Sequence, residues 1–512
     1  MNDQREERSV TAESKPTPWG EELFSVDTRS LAVLRIGVAL MVILDVARRL
    51  AWTDLFHSDY GVLTANQASQ FLGPGYWSLY WLNGSPWFAY LLFSLTLISA
   101  VGLMVGYRTR WMTSACLVLV WSLQTSNPLL LTAGHILLRM LLFWMVFLPV
   151  SAVWSVDAMN GRQRPFSGRV LSVASAAILL QVAYMYFFSG LAKLNPYWTG
   201  GSAMQYAMNF EMYVKPAGRW LAQYPECLQL LTLMTLAAEI LGPVLLFLPR
   251  CSQFFRGFFM GFFWLLHLCI WLTMSIGLFS VIAMLAWVVF VPAKIWDLLG
   301  VQRKAKPGAV LPVETRGSRG LANGIASVFL VYVTVQNILF LSPETSTVNS
   351  QLTSRVQLAN HWAEKFGRLT MTIQQFRMFD VPPLYNPWYE YAATLMDGQQ
   401  VELFGGQLDR LGQRPASTYA AMQNQYWRRL HWNLTTLPDQ PPEKLSVYQQ
   451  IRQQLLLKIV QRWDVQNPDN PVVQAQLKCY LEPIQLPGEA PAEAASSTAI
   501  WANYQRQPED SS

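Results

Sequence analysis

Charged residues are scarce in this chain, and their scarcity excludes an ordinary soluble protein. Asp, Glu, Lys and Arg make up 14% of its 512 residues, whereas hydrophobic residues make up 52%. Trp, Tyr and Phe number 21, 20 and 26. This composition is typical of a polytopic membrane protein. The net charge of +6 fits basic cytoplasmic loops in such a protein and gives no support to a nucleic-acid partner.

Cysteine and histidine are also few, at five each, and their spacing excludes the common metal sites. There is no CxxC pair and the cysteines form no cluster with the histidines, so we predict no zinc or iron–sulfur centre. A disulfide between Cys227 and Cys479 is an alternative that the sequence does not decide, because both cysteines fall on the outer side of the topology given below. Phosphate-binding glycine loops, GxSxG and HExxH are absent from the sequence as well.

Long apolar runs dominate the chain up to residue 341, and we expect them to form nine membrane helices. The first 30 residues hold no apolar core of a cleaved signal peptide, so the first run serves as the anchor. The runs cover residues 31–52, 87–106, 111–130, 135–154, 170–191, 227–248, 254–273, 276–297 and 321–341.

The distribution of Lys and Arg predicts the orientation of these helices. Basic residues gather in the amino-terminal tail and in residues 294–319, whereas the connection at residues 51–86 has none. By the positive-inside rule the amino terminus is cytoplasmic and the carboxyl-terminal third is outside. Arg48 and Arg49, at the outer end of the first helix, run against this trend.

The predicted fold is an all-α polytopic membrane protein with a small α+β outer soluble domain at its carboxyl end. In the outer domain, residues 388–404 read as a hairpin with Asp397 and Gly398 at the turn. Residues 443–463 read as an amphipathic helix. The predicted parts are a cytoplasmic tail at 1–30, a transmembrane domain at 31–341, an outer domain at 342–487 and a disordered tail at 488–512.

A single lysine ends the fifth apolar run. Residues 184–198 read YMYFFSGLAKLNPYW, so that Lys193 lies at the edge of the hydrocarbon region. An ammonium group is costly there unless it snorkels, pairs or gives up its proton. A snorkelling anchor is the ordinary explanation. The functional explanation is a lysine that burial keeps neutral, so that it can act as a general base.

Two histidines lie at the same depth as this lysine in the predicted topology. His135 opens the fourth helix on the outer side, and His267 lies in the outer half of the seventh. Each alone has a structural explanation, His135 as a helix cap and His267 as a core histidine with satisfied hydrogen bonds. Three ionisable groups in one leaflet favour a site over three separate accidents.

Among the other charged residues in the apolar runs, four are candidates for a buried role. Arg139 shares a helix face with His135 and is a candidate to pair there or to bind an anionic group. Arg35 and Asp45 lie too far apart along the first helix to pair with each other. We interpret Arg35, Asp45 and Glu239 first as ties between helices and second as site residues.

Six stretches, taken in order, resemble one family, the vitamin K-dependent γ-glutamyl carboxylases and their bacterial relatives with a horizontally transferred transmembrane domain. The resemblance covers roughly residues 20–300. The stretches are DTRSLAVLRIGVALMVILDV at 27–46 with Arg35 and Asp45, AVGLMVGYRTRW at 100–111, His135, WSVD at 154–157, YFFSGLAKLNPYW at 186–198 with Tyr186 and Gly190, and His267 followed by SIGLF at 275–279.

The resemblance implies a specific chemistry. In that family a lysine deprotonates a reduced naphthoquinone, oxygen adds to the ring, and the resulting strong base removes the γ-proton of a protein glutamate, which then captures carbon dioxide. Lys193 would be the base and His135 would assist carboxylation, with His267, Tyr186 and Arg139 as further candidates. Reduced vitamin K, oxygen and carbon dioxide are the implied co-substrates. Membrane lipid, the lipophilic quinone and a glutamate-containing protein on the outer side are the implied partners.

The sequence departs from the family in three places. Ala192 stands where the animal enzymes have a second lysine, Ile270 stands where they have an asparagine, and the outer region is shorter. Quinol epoxidation without carboxylation is therefore the first alternative, and a non-catalytic membrane scaffold is the second. We expect a bacterial inner membrane with the carboxyl-terminal domain in the periplasm, or the endoplasmic reticulum membrane if the source is eukaryotic.

Overall fold

A computed structural model of the chain is mostly helical and describes ten stretches of sequence. The predicted cytoplasmic tail lies largely outside them, because the description begins at residue 19. The described residues are 19–162, 168–249, 251–301, 310–312, 318–341, 350–376, 379–405, 411–435, 442–486 and 497–507.

The helices and strands are numbered here in chain order. The first nine helices are α1 Trp19–Phe24, α2 Thr28–Arg49, α3 Thr53–Phe56, α4 Ala65–Leu72, α5 Pro86–Val105, α6 Thr109–Ser126, α7 Ala133–Met145, α8 Val156–Met159 and α9 Val173–Ala192. The next eight are α10 Pro196–Thr199, α11 Ala203–Met208, α12 Pro216–Leu221, α13 Pro225–Leu245, α14 Ser252–Thr273, α15 Phe279–Ala286, α16 Ala293–Leu298 and α17 Ser318–Phe340. The last four are α18 Ser350–Leu369, α19 Thr418–Ala421, α20 Gln425–Thr435 and α21 Pro442–Gln466. The strands are β1 Val26–Asp27, β2 Arg169–Leu171, β3 Val310–Pro312, β4 Tyr385–Leu395, β5 Gln400–Glu402, β6 Val472–Pro483 and β7 Ser497–Gln505. Short 3₁₀ helices lie at Leu50–Trp52, Leu79–Leu82, Pro128–Leu130 and Trp287–Phe290.

Capping residues fix the ends of α9, the helix that carries Lys193. Ser172 begins the helix with a capping box, in which its hydroxyl oxygen accepts the backbone N–H of Ser175 at 3.1 Å. The helix ends at Ala192, and Asn195 then caps α10, whose first residue is Pro196. Proline cannot continue the preceding helix, so Lys193 lies at a defined break.

Six helical segments in the described part of the chain are long and apolar enough to cross a membrane. They coincide with six of the nine predicted runs, and the nine-span topology and its orientation stay predictions. The other three runs form α6, the 13-residue α7, and the interrupted series α15, Trp287–Phe290 and α16. The six are Thr28–Phe56, Pro86–Val105, Val173–Ala192, Pro225–Leu245, Ser252–Thr273 and Gly320–Phe340.

Helix α7 runs through the centre of the bundle, whereas α14 lies at its surface. From Gly134 to Met145, every residue of α7 except Ile136 is buried. A helix that is apolar on all sides is stable only inside a core. Helix α14 instead exposes Phe254, Phe258 and Leu265, as a lipid-facing helix does. These features are those of an integral membrane protein.

The carboxyl-terminal region folds over one end of the bundle. Residues 379–507 are called the cap domain here, and the bundle end that they contact is called the cap end. The cap sheet has the order β5-β4-β6-β7, with every pair antiparallel. Helix α21 packs on β6 and β7. The Nε atom of Arg429 donates to the carbonyl oxygen of Leu131 at 2.9 Å, which joins the cap domain to the start of α7.

Two predictions for the cap domain are confirmed and one is wrong. Strands β4 and β5 form the predicted hairpin, with Gly398 at φ +85° in the turn. Helix α21 contains the predicted amphipathic helix, and it buries Ile451 and Leu455 completely. The predicted disordered tail is wrong over β7, because eight of its residues pair with β6 and add a strand that a composition rich in Ala, Pro and Ser did not indicate.

After α17 the chain comes back to the bundle before it enters the cap domain. The predicted boundary at residue 342 falls outside the described residues, but the segment 371–376 lies against bundle helices. Phe376 is buried in the bundle core, and the side-chain amide of Gln181 in α9 donates to Gln374 at 2.6 Å. An Arg139 guanidinium nitrogen donates to the carbonyl oxygen of Ile373. Residues 371–376 are called the return segment below.

Candidate active site

Lys193 is buried at the cap end and is held by two polar partners. Its Nζ atom donates to the Glu239 carboxylate at 2.6 Å and to the Ser189 hydroxyl at 2.8 Å, and it lies 5.1 Å from the centre of the Trp198 ring. The side chains of Lys193 and Glu239 are 4% and 10% exposed. Because the ammonium group is buried and paired, the snorkelling explanation of Lys193 does not fit.

Close packing of α9 against α13 brings Glu239 to Lys193. Gly190 lies at the contact, and a Cβ atom there would approach Ile240 to 2.9 Å and the Cβ of Glu239 to 3.0 Å. Any larger residue would push the helices apart. Glu239 therefore links α13 to the end of α9, and its partner is the lysine of the site. Ser189 was not predicted, although its place four residues before Lys193 puts it on the same helix face.

Tyr186, His267 and Trp287 form a second buried polar group on the same side of α9. The Tyr186 hydroxyl accepts the indole N–H of Trp287 at 3.0 Å and lies 2.6 Å from Nε2 of His267. Phe263 packs on this group, with its ring 4.1 Å from Tyr186 and stacked on Trp287 at 4.9 Å. The aromatic rings form an apolar, flat-sided environment around two polar atoms.

The two groups belong to one site. Tyr186 precedes Lys193 by two helical turns, so their side chains lie on the same face. Lys193, Glu239, Ser189, Tyr186 and His267 are called the Lys193 site below.

His135 lies in a separate network of buried polar side chains. Its Nε2 atom is 3.1 Å from the Asp45 carboxylate, and its Nδ1 atom accepts the backbone N–H of Thr132 at 3.0 Å. Since Nδ1 accepts, the ring proton is on Nε2 and is donated to Asp45. Both ring nitrogens of His135 are thus engaged within the protein.

Arg49 and His57 complete the His135 network, and neither was predicted. Arg49 donates to Asp45 at 3.0 Å and lies 3.4 Å from Nε2 of His57. Nδ1 of His57 lies 2.9 Å from the Ser126 hydroxyl. Asp45 therefore pairs with an arginine of its own helix as well as with a residue of α7. The spacing of four residues between Asp45 and Arg49 was the available signal.

Phe279 contacts His267 and also packs against the start of α7. The Phe279 ring stands edge-on to His267 at 5.4 Å. Its Cα atom is so close to α7 that a Cβ on Gly134, next to His135, would approach it to 2.9 Å. His267 thus bonds to Tyr186 of the helix that carries Lys193, whereas His135 bonds to Asp45 in a separate network.

Arg139 and Arg35 bond to no side chain of the Lys193 site or of the His135 network. Arg139 donates to the side-chain oxygen of Gln124 at 2.8 Å as well as to the return segment, and it stacks on Trp121 at 4.8 Å. It does not bond to His135. Arg35 donates to the carbonyl oxygens of Val150 and Trp154, at 3.2 and 2.5 Å, and so ties α2 to the segment after α7.

Two of the family-like stretches meet at the opposite end of the bundle. The carboxylate of Asp157, in WSVD, accepts the backbone N–H groups of Arg108 and Thr109 at 2.9 and 2.8 Å. Arg108 and Thr109 belong to the stretch at residues 100–111. This contact caps the start of α6, so the second and fourth stretches have a shared structural role.

Comparison with known proteins agrees with this architecture. The family model described as HTTM domain matches residues 24–296, which is more than half of the chain, and the protein belongs to this family. The HTTM domain is characteristic of vitamin K-dependent gamma-carboxylase-like proteins, and HTTM proteins also include non-catalytic ones. No solved structure matches the chain.

Proposed function

We propose that this protein is a membrane enzyme that acts on a reduced naphthoquinone with oxygen at the Lys193 site, with protein glutamate as the substrate that is carboxylated. The observation that carries this proposal is the buried contact of Lys193 with Glu239 and Ser189. A lysine at the edge of a membrane core, paired with one carboxylate beside aromatic rings, is suited to proton transfer to and from a lipophilic ligand.

The site residues suit the removal of a proton from a quinol hydroxyl. The ammonium of Lys193 can pass one proton to the Glu239 carboxylate, 2.6 Å away, and the resulting amine can accept the quinol proton. Ser189 orients Nζ, and the rings of Phe263 and Trp287 offer flat apolar surfaces. One orphaned polar atom, Nδ1 of His267, also fits a ligand with oxygen atoms. The reduced quinone would supply, with oxygen, the strong base needed at the glutamate γ-carbon.

The decisive test compares Lys193→Ala with wild type in a reaction with reduced vitamin K, oxygen, labelled bicarbonate and a glutamate-containing peptide. Quinone epoxide and fixed label are measured separately. Loss of a general base is expected to lower both by roughly 10²- to 10⁴-fold. Lys215→Ala is the matched control, because Lys215 is a cap-end lysine whose Nζ donates to a backbone carbonyl, that of Trp271, and to no carboxylate among the described residues.

Epoxidation without carboxylation is the second candidate, and one observation favours it. Both ring nitrogens of His135 are bonded within the protein, so His135 has no free nitrogen to assist carboxylation. Epoxide formed by wild type without fixed label would support this second candidate. A folded wild type that forms neither product would support a non-catalytic scaffold, in which the Lys193–Glu239 pair only ties α9 to α13.

A further inference from the structure

His267 carries a buried polar atom for which the described residues offer no partner. The residue is 2% exposed, and its Nδ1 atom has no hydrogen-bond partner among the described residues. Buried polar atoms are almost always hydrogen-bonded, because an unpaired one loses its contacts with water and gains nothing. An orphan of this kind, on a histidine that bonds to Tyr186 of the same site, points to a ligand.

The hydrogen bonds around Tyr186 show whether Nδ1 carries a proton. The indole of Trp287 is only a donor, so the Tyr186 oxygen accepts from it and keeps its own proton to donate. The acceptor within reach is Nε2 of His267, at 2.6 Å. With Nε2 as acceptor, the neutral ring has its proton on Nδ1. The opposite tautomer would leave two groups unpaired, the tyrosine proton and Nδ1, instead of one.

His431 in the cap domain shows the same arrangement with every bond made. The Tyr391 hydroxyl lies 2.7 Å from its Nε2 atom, and its Nδ1–H donates to the carbonyl oxygen of Trp427 at 2.8 Å. Both ring nitrogens of His431 therefore have hydrogen-bond partners, as is usual for a histidine in a protein core. His267 has the tyrosine but lacks the carbonyl oxygen, so an acceptor oxygen is what its environment is missing.

We propose that the Nδ1–H group of His267 is the hydrogen-bond donor to an oxygen atom of the bound naphthoquinone. This inference rests on the proposed function. Phe279 and Tyr186 lie 5.4 and 5.9 Å from the imidazole, and Phe263 packs on Tyr186, so the surroundings of His267 suit a flat aromatic ligand with an oxygen at its edge. Lys193 would meet a ligand hydroxyl as base, while His267 would hold the ligand by a neutral hydrogen bond.

The test uses menadione, a naphthoquinone without a side chain, labelled with ¹³C at its carbonyl carbons. Infrared difference spectra of the wild type should show a bound carbonyl band at lower frequency than free menadione. His267→Leu should lose this shift and bind menadione about tenfold more weakly. His267→Gln, whose amide keeps a donor, should retain the shift. His431→Gln is the matched control and should bind and shift menadione as wild type does.

Each other outcome overturns the inference in a distinguishable way. If His267→Leu binds menadione and shifts its band as wild type does, the donor is another group and the proposed function still stands. The same holds if wild type forms epoxide but menadione shows no shifted band. If folded wild type neither binds a naphthoquinone nor oxidises one, both proposals fail. If His267→Leu does not fold, NMR spectra of wild type labelled with ¹⁵N-histidine provide the test. The His267 signal is assigned by its absence from the spectrum of His267→Gln, and its Nδ1–H chemical shift must change when menadione is added. A signal that stays unchanged overturns the inference.

Discussion

His431 and His267 each bond to a tyrosine hydroxyl through Nε2, but they differ at Nδ1. Nδ1 of His431 has a hydrogen-bond partner, as in a structural histidine, whereas Nδ1 of His267 has none among the described residues and is the atom that we propose binds a ligand. Their sequence contexts differ, since His267 lies within an apolar run and His431 follows Arg428 and Arg429. For His431 the acceptor is the backbone of its own helix, four residues earlier. For His267 the backbone of α14 offers no such bond, so the unmade bond is visible only in the structure.

Burial of His431 makes the cap domain sensitive to acid. Desolvation lowers the pKa of His431 from its ordinary value to about 4, so the folded protein keeps it neutral. Its contribution to stability is complete above pH 6.5 and is lost as the pH falls from 6.5 towards 4, because the unfolded chain then binds the proton more tightly. We expect the cap domain to lose on the order of 3 kcal/mol over this range.

Unfolding of wild type and His431→Gln, followed by tryptophan fluorescence between pH 8 and pH 4, measures this loss. The variant should be less stable at pH 8 but should show a flatter dependence on pH. Burial raises the pKa of the Glu402 carboxyl, an effect of opposite sign that both proteins share. Equal slopes for the two proteins would show that His431 does not carry the acid sensitivity.

The residues of the site could be found in the sequence, but their partners could not. Hydrophobic periodicity gives the depth of Lys193, His135 and His267 in the membrane, and the resemblance adds their roles. The contact of Lys193 with Glu239 depends on how α9 packs against α13, over a separation of 46 residues. A single sequence has no signal for that packing, and for the same reason it did not show that His135 bonds to Asp45 and His267 to Tyr186.

At the scale of elements, the packing of two helices through one glycine sets the geometry of the site. Gly190→Ala would place a methyl group 2.9 Å from Ile240 and 3.2 Å from the backbone of Glu239. Overpacking of this kind costs about 1–3 kcal/mol. We expect a lower melting temperature in detergent and a loss of epoxide formation larger than the loss of fold, because Glu239 would move away from Lys193.

Gly261→Ala is the matched control for this helix contact. Gly261 is also in a membrane helix, α14, but a Cβ atom there would meet nothing within 4 Å. The control should keep both the melting temperature and the activity of wild type. If Gly190→Ala behaves like Gly261→Ala, the close approach of α9 and α13 is not what holds Glu239 in place.

Element prediction succeeded where apolar runs are long and failed where they are interrupted. Runs of about 20 apolar residues became α5, α9, α13 and α14, because such a run can satisfy its backbone only as a helix. The run at residues 135–154 gave only α7, since the chain leaves the helix before Pro149. Strand β7 was missed because the composition of residues 488–512, taken together, hides the short run that contains Thr498, Ile500 and Trp501.

At the scale of the whole molecule, the distribution of basic residues predicts that the cap end faces outwards. Two free, exposed cysteines test this orientation, Cys227 at the cap end of α13 and Cys251 at the opposite end of the bundle. In intact cells or spheroplasts, a membrane-impermeant maleimide should label Cys227 and should reach Cys251 only after permeabilisation. Each cysteine is tested in a variant that retains it alone. If Cys251 is labelled in intact cells and Cys227 is not, the orientation is the opposite of the predicted one.

The return segment contributes to the core of the HTTM domain although it lies outside the residues that the family model matches. The family match ends at residue 296, yet Phe376 completes the bundle core, Gln374 bonds to α9, and Phe143 of α7 packs on Phe329 of α17 at 4.8 Å. In this chain, residues beyond the family match therefore complete the core of the matched domain. A change confined to residues 371–376 should alter the walls around α7 and α9 without any substitution in the matched residues.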